Sequence, residues 1–199
     1  VSLDREAASE ITIRITASVT EGDTASADVL IRVLDVNEAP SAPVVSGTVV
    51  AENTAGAVIG RVTASDPDAG GSSNGRLSFT VDDARFEIVS GVLKLKDGVS
   101  LDREAASSVD LVITVTDGGG LSAQRSVTIT VGDANEAPTA PVVTGTTVAE
   151  NAAGAVIGTV TASDPDGDAL SVTVDDARFE VVGGQLKLRD GISLDHEAE

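Results

Sequence analysis

Ile11, Ile13 and Ile15 alternate with polar neighbours, and Val29, Ile31 and Val33 do the same after a short polar interruption. A period of two carried by β-branched residues predicts strands with one face turned to a core. The pattern returns over Ala57 to Ser65, Leu77 to Val81, Phe86 to Val89, Val92 to Lys96, Val109 to Thr116 and Ser126 to Val131, with a short strand near Val44. Asp97-Gly98 and Asp117-Gly118 punctuate these runs as turns. No stretch carries a helical period. The segment from Ser41 to Pro138 thus holds about seven strands, the number of an immunoglobulin-like Greek-key sandwich.

The pattern is also periodic on a longer scale. Asp35-Val-Asn-Glu-Ala-Pro40 returns as Asp133-Ala-Asn-Glu-Ala-Pro138, 98 positions on (133 less 35). Ala51-Glu-Asn53 returns as Ala149-Glu-Asn151, and Asp66-Pro-Asp68 as Asp164-Pro-Asp166. Phe86 returns as Phe179, 93 positions on, so five residues are missing from the loop after the second Asp-Pro-Asp. These registers divide the chain into the C-terminal part of one repeat (1–40), a complete repeat (41–138) and the N-terminal part of a third (139–199) that lacks its last two strands. Two strands alone do not close a core, so residues 1–40 are expected to be poorly held unless other chain completes them.

Composition narrows the class. With 13 basic and 32 acidic residues the formal charge is −19, which repels phosphate backbones and anionic membranes and argues against nucleic acid as a partner. No apolar run is long enough to cross a membrane, so direct insertion is not expected. No signal peptide opens the chain; the export address of a secreted protein would lie outside this stretch. The aromatics are three phenylalanines, Phe79, Phe86 and Phe179. The cores must therefore be built from Val, Ile, Leu and Ala. There is no Cys, hence no disulfide, and a bound metal is the alternative staple.

The acids are not scattered. Each Asp-x-Asn-Glu-Ala-Pro connector crowds three oxygen-bearing side chains just before a proline that fixes the backbone. Carboxylate and amide oxygens without Cys, and with His196 as the sole histidine, suit a hard cation, Ca²⁺ rather than zinc or copper. The competing reading is a solvated acidic face that keeps a β protein soluble. It is the better reading for Asp23, Asp28, Asp82, Asp83, Asp175 and Asp176, which fit no motif.

Four acidic motifs recur in one order: Glu in Ala-Glu-Asn, then Asp-Pro-Asp, then Leu-Asp-Arg-Glu, then the connector. In this order they resemble the cadherin repeat along the whole chain, and Asn74-Gly75 and Thr116-Asp-Gly118 resemble two further segments of that family. The resemblance implies an all-β chain of tandem Greek-key sandwiches of the cadherin type, with Ca²⁺ at inter-repeat junctions. Carried over residue by residue, it implies that the first junction uses Asp4, Glu6, Asp35, Asn37, Glu38, Asp66 and Asp68, with Asn74 through its backbone oxygen and Asp117 as a further ligand. The second would use Glu52, Asp102, Glu104, Asp133, Asn135, Glu136, Asp164 and Asp166. Asp168 stands where the Asn-Gly segment is lost and can replace a ligand. Glu150, Asp195 and Glu197 would serve a third site. The connectors depart from the family in carrying Glu38 and Glu136 where Asp is usual, and Val19 stands at the position matching Asp117.

What the resemblance implies for function is a calcium-dependent module of cell-surface adhesion or rigid extension, extracellular, in a bacterial cadherin-like array, with affinities on the order of 0.1 to 1 mM. Its partners would be neighbouring repeats, with homophilic or head-to-tail self-association as a further expectation. Alternatives are a passive spacer, a filament subunit completed by strand donation between copies, and an accessory module of a secreted hydrolase. Catalysis within the chain is not expected. Gly71-Ser-Ser-Asn-Gly75 fits Gly-x-Ser-x-Gly, but a nucleophile elbow needs a strand before it, a helix after it and a histidine base. Paired carboxylates without Trp or Tyr also offer no platform for stacking a sugar.

Overall fold

The computed structural model describes residues 2–70 and 73–197; Gly71 and Ser72, which begin the Gly-x-Ser-x-Gly string, lie outside them. The chain clusters into two compact units, Val1–Asp133 and Ala134–Glu199. Among the described residues there is no α-helix, and the one helical turn is of 3-10 type, Pro67–Gly70.

In the first unit a hairpin comes first: β1 (Glu10–Ser18) pairs antiparallel with β2 (Thr24–Arg32) in unbroken register, Ile13 opposite Val29. Eight strands then build a sandwich: β3 (Val44–Val45), β4 (Val49–Ala51), β5 (Val58–Thr63), β6 (Ser78–Val81), β7 (Phe86–Val89), β8 (Val92–Leu95), β9 (Ser108–Thr116) and β10 (Ser122–Gly132). One sheet runs β4-β10-β9-β6 and the other β3-β5-β8-β7. All pairings are antiparallel except β4 on β10. Alternation decides what is inside. In β9, Val109, Leu111, Ile113 and Val115 are buried while Asp110 is exposed, and the first three meet Ile129 and Val131 of β10, Val62 of β5, Phe86 of β7, and Leu93 and Leu95 of β8. The core is aliphatic around one phenylalanine, as the composition requires.

Two strands differ from the sequence reading for a reason. β10 starts at Ser122, four residues early, because Ser122 opposes Thr116 and the ladder runs to the end of β9. β4 is too short to show a period and exists because β10 lies beside it.

The second unit holds one sheet, β11 (Val142–Thr144), β12 (Val156–Thr161), β13 (Phe179–Val182) and β14 (Gln185–Leu188), in the order β11-β12-β14-β13. It copies β3-β5-β8-β7, down to a register irregularity at Val156/Gly158 that repeats the one at Val58/Gly60. Residues 147–149 and 171–174 match β4 and β6 in the repeat, yet neither is a strand. Both lack the β9 and β10 counterparts against which β4 and β6 form their ladders.

The repeat supplies a matched pair of positions. Ile113 in β9 is 0% exposed and Ile15, 98 positions earlier in β1, is 55% exposed. Ile113→Ala is expected to cost about 2–5 kcal/mol and Ile15→Ala under about 0.5 kcal/mol, read by denaturant unfolding of the full chain.

Candidate metal centre

Within the first unit the acids converge from four places in the chain. The turn after Leu3 carries Asp4, whose Oδ1 accepts from the N–H groups of Glu6 and Ala7 at 2.9 and 3.1 Å; that cap fixes the turn on which Glu6 sits. The Asp-Pro-Asp turn carries Asp66 and Asp68. Asp66 Oδ1 accepts from Asp68 N at 2.9 Å, an Asx turn that leads into the 3-10 turn. The connector crosses this turn, and Glu38 N donates to Asp68 Oδ2 at 3.0 Å. One carboxylate oxygen each from Glu6, Asp35 and Asp68 then lies within 4.8 Å of the others.

Asp117, at the end of β9, closes the arrangement. Its Oδ1 accepts from Leu121 N at 2.8 Å and its Oδ2 from Asn37 Nδ2 at 3.0 Å. The loop can approach because it is glycine: a Cβ on Gly119 would overlap the Asn37 carboxamide, and one on Gly118 the Ser73 carbonyl. The Gly118-Gly119-Gly120 run was visible in the sequence; what it approaches was not.

Asp66 is 8%, Asp68 4% and Asp117 6% exposed. Among the described residues Asp66 Oδ2, Asp68 Oδ1 and Asn37 Oδ1 are buried without a hydrogen-bond partner. Burial of charged or polar oxygens left unpaired is costly, and a cation is the kind of partner that would satisfy such oxygens. The donor set, all oxygen and mostly carboxylate, fits Ca²⁺. Glu38 senses the crowding: burial first, then the carboxylates of Glu6, Asp68, Asp4 and Asp35, raise its pKa above the usual glutamate value. Asp117 goes the other way. Burial pushes it up, but hydrogen bonds from Asn37, Leu121, Gly120 and Gly119 outweigh that and hold it below 3.8.

Not every residue of the expected set faces the cluster in the same manner. The Asp4 carboxylate caps a turn. The Asn74 carbonyl, expected to face a cation, accepts from Gly118 N at 2.7 Å.

The second expected set falls on both units, and several of its contacts repeat those of the first. In the first unit Glu52 is buried and its Oε2 accepts from Arg103 N at 2.7 Å. The left-handed Asn53 beside it (φ 55°) turns the chain so that its N–H meets the Leu101 carbonyl. Asparagine in Ala-Glu-Asn is thus a turn residue. Glu52 and Glu104 offer oxygens within 4.8 Å of each other. Asp102 Oδ1 caps Ala105 N at 2.9 Å, and Asp133 pairs with Arg103 at 2.8 Å. In the second unit Glu136 N donates to Asp166 Oδ2 at 2.7 Å, the copy of the Glu38 contact. Glu136 and Asp166 offer oxygens within 4.8 Å. Asn135 Nδ2 donates to the Glu136 carbonyl at 3.1 Å. Asp164 Oδ1 accepts from Asp166 N and Asp168 N at 3.1 and 3.3 Å; the contact of Asp168 is through its backbone, and its residue is exposed. Glu150, Asp195 and Glu197 form a third group, fully on the surface.

Three of the acids outside the motifs are held in ion pairs. Asp28 pairs with Arg14, Asp83 with Arg85 and Asp176 with Arg178. The two latter arginines lie over Phe86 and Phe179 at 5.8 and 5.7 Å from the ring centroids.

Residues 47–132 match the family model of the cadherin domain. The chain is 35% identical over 177 residues to protocadherin gamma-A3 of Pan troglodytes, covering 83% of this chain and 19% of that protein. It is 34% identical over 189 residues to cadherin-1 of Gallus gallus, covering 83% and 21%. The chain thus spans about a fifth of the length of these relatives. Among solved structures, protocadherin gamma B2 extracellular cadherin domains 3–6 superpose with a TM-score of 0.69 at 26% identity, over 100% of this chain and 52% of that one. These relatives are animal proteins and give the expected bacterial origin no support. The likeness is to extracellular, cell-surface modules of a non-enzymatic adhesion family, which bears out the expected location and the expectation of no catalysis.

Gly119→Ala should leave the fold intact and weaken Ca²⁺ binding by about tenfold, because it displaces Asn37 from Asp117; calorimetric titration reads this. Asp117 also predicts a pH effect. Its pKa is depressed in the folded state, so its stabilising contribution is present above pH 3.8 and lost as pH falls through the folded value. The stability gap between the natural chain and Asp117→Asn should therefore close on acidification below that point, followed by urea unfolding at each pH.

Proposed function

With a cadherin domain at residues 47–132 as the premise, we propose that this chain is a segment of a tandem array in which Ca²⁺ at the connectors stiffens the joints between repeats. The observation that carries the reading is the trio of buried, unpartnered oxygens on Asn37, Asp66 and Asp68, beside a three-carboxylate cluster. Repeat boundaries at 1–40, 41–138 and 139–199 belong to the same proposal.

The residues have separable roles. Glu6, Asp35, Asp66 and Asp68 supply the anionic oxygens of the first joint, with Asn37 adding a neutral one. Asp117 holds Asn37 in place, and the backbone N–H of Glu38 holds Asp68. By the 98-residue register, Asp133, Asn135, Glu136, Asp164 and Asp166 join Glu52, Asp102 and Glu104 at the second joint. Bound there, Ca²⁺ would supply charge neutralisation and simultaneous ligation of segments that otherwise repel. A repeat would then be free to swing about its connector at low calcium and fixed at high calcium. Adhesion or reach at a cell surface needs the fixed state.

Self-association through repeats is a second reading, favoured by the exposed Ile13, Ile15, Val29 and Ile31 of the hairpin. One matched structure is described as a protocadherin gamma B7 cis-dimer.

Small-angle scattering with saturating Ca²⁺ and then with chelator tests both. The joint reading expects a longer, narrower distance distribution in calcium, abolished in Asp68→Asn combined with Asp166→Asn; an unchanged distribution overturns it. Self-association expects growth in mass with concentration, and a constant mass rules it out.

A further inference from the structure

We propose that Arg5 and Arg103 are tethered counter-ions that occupy the connector aspartates Asp35 and Asp133, and that Ca²⁺ must displace them to bind. They would thereby set the calcium concentration at which each joint stiffens. This rests on the joint reading above and adds to it the residue that tunes it.

The geometry is the same twice, at positions 98 apart. Arg5 Nη1 lies 3.0 Å from Asp35 Oδ1 and 3.6 Å from Glu6 Oε1. Arg103 Nη1 lies 2.8 Å from Asp133 Oδ2. Asp35 and Glu6 are two of the three carboxylates whose oxygens crowd within 4.8 Å, so the guanidinium holds atoms that a cation would need. A cavity of about 250 Å³ is lined by Arg5, Glu6, Ser9, Pro67, Asp68 and Gly70, so the arginine and the acids face one space. Both arginines and both aspartates are partly solvated. Such a pair is weak and screened, whereas a divalent ion binds several oxygens at once with twice the charge. The pair is strong enough to compete and weak enough to yield.

The side chain is separable from the turn it sits on. In the second copy the backbone N–H of Arg103 donates to Glu52 Oε2 at 2.7 Å while the guanidinium reaches Asp133. In the third copy His196 replaces the arginine, and its N–H still reaches Glu150 Oε2, at 3.3 Å. The imidazole instead ends 3.9 Å from Glu197. The motif therefore needs only the backbone of this residue to shape the site. The guanidinium does something else, and its shorter contact in both copies is with the connector aspartate.

The test is calorimetric titration of Ca²⁺ into the metal-free full chain at fixed ionic strength, for the natural sequence, Arg5→Gln, Arg103→Gln and the double variant. Arg85→Gln, which removes the same charge from the Asp83 pair outside the motifs, is the control. The double variant should bind Ca²⁺ about three- to tenfold more tightly. Lysine at both positions should fall between it and the natural chain, and Arg85→Gln should match the natural chain. Circular dichroism confirms that each variant is folded. Unchanged or weakened binding in the double variant, with the natural chain still binding, overturns the counter-ion role and leaves the joint reading standing. Failure of the natural chain to bind millimolar Ca²⁺ overturns both.

Discussion

A buried carboxylate must find a donor or a cation for each oxygen, and in the first unit that constraint falls on Asp66 and Asp68. One oxygen of each is satisfied by the backbone, through the Asx turn and through Glu38 N. The other oxygen of each is buried without a partner among the described residues. The surroundings make sense as a response to this. Proline fixes the backbone between the two aspartates, the glycine loop lets Asp117 reach Asn37, and the connector is drawn over the 3-10 turn.

The sandwich serves as the frame for that arrangement. β5 leads into Asp66 and β9 into Asp117, and the connector touches both of the following loops, Asp68 through Glu38 N and Asp117 through Asn37. An aliphatic core with Leu93, Leu95, Ile113, Val115 and Ile129 at zero exposure holds these strands in place. The acids therefore sit on loops fixed by a rigid scaffold, which is how a site can hold repelling groups together without a large interface. The same principle explains the arginines: where like charges are forced together, a cation from the chain itself is the nearest relief.

Much of this was legible in the residues. Period-two alternation located the strands of the complete repeat to within a few positions, because a strand half-buried in a sandwich must alternate. The recurrence of Asp-Pro-Asp and Asp-x-Asn-Glu-Ala-Pro singled out the acids that the first unit gathers. What was not legible depended on partners distant in the chain. β4 is three residues long and exists by leaning on β10. The matching residues 147–149, and 171–174 with their clear Val-Thr-Val alternation, remain outside any strand because no neighbouring ladder is there to join. Gly119 and the Arg5 guanidinium could be seen as residues, but not as contacts of Asn37 and Asp35.

By itself, then, the sequence determined the class, the repeat and the donor chemistry: all-β from its periodicity, tandem from the 98-residue register, and clustered oxygens without thiols, a set that suits a hard cation. These are properties of local order and composition, which a linear chain carries in full. The tertiary structure decided which of the acids are buried, which oxygens lack a donor, and which arginine meets which aspartate. Those depend on burial and on distances between segments some 30 to 80 residues apart, and only the packed sandwich sets them.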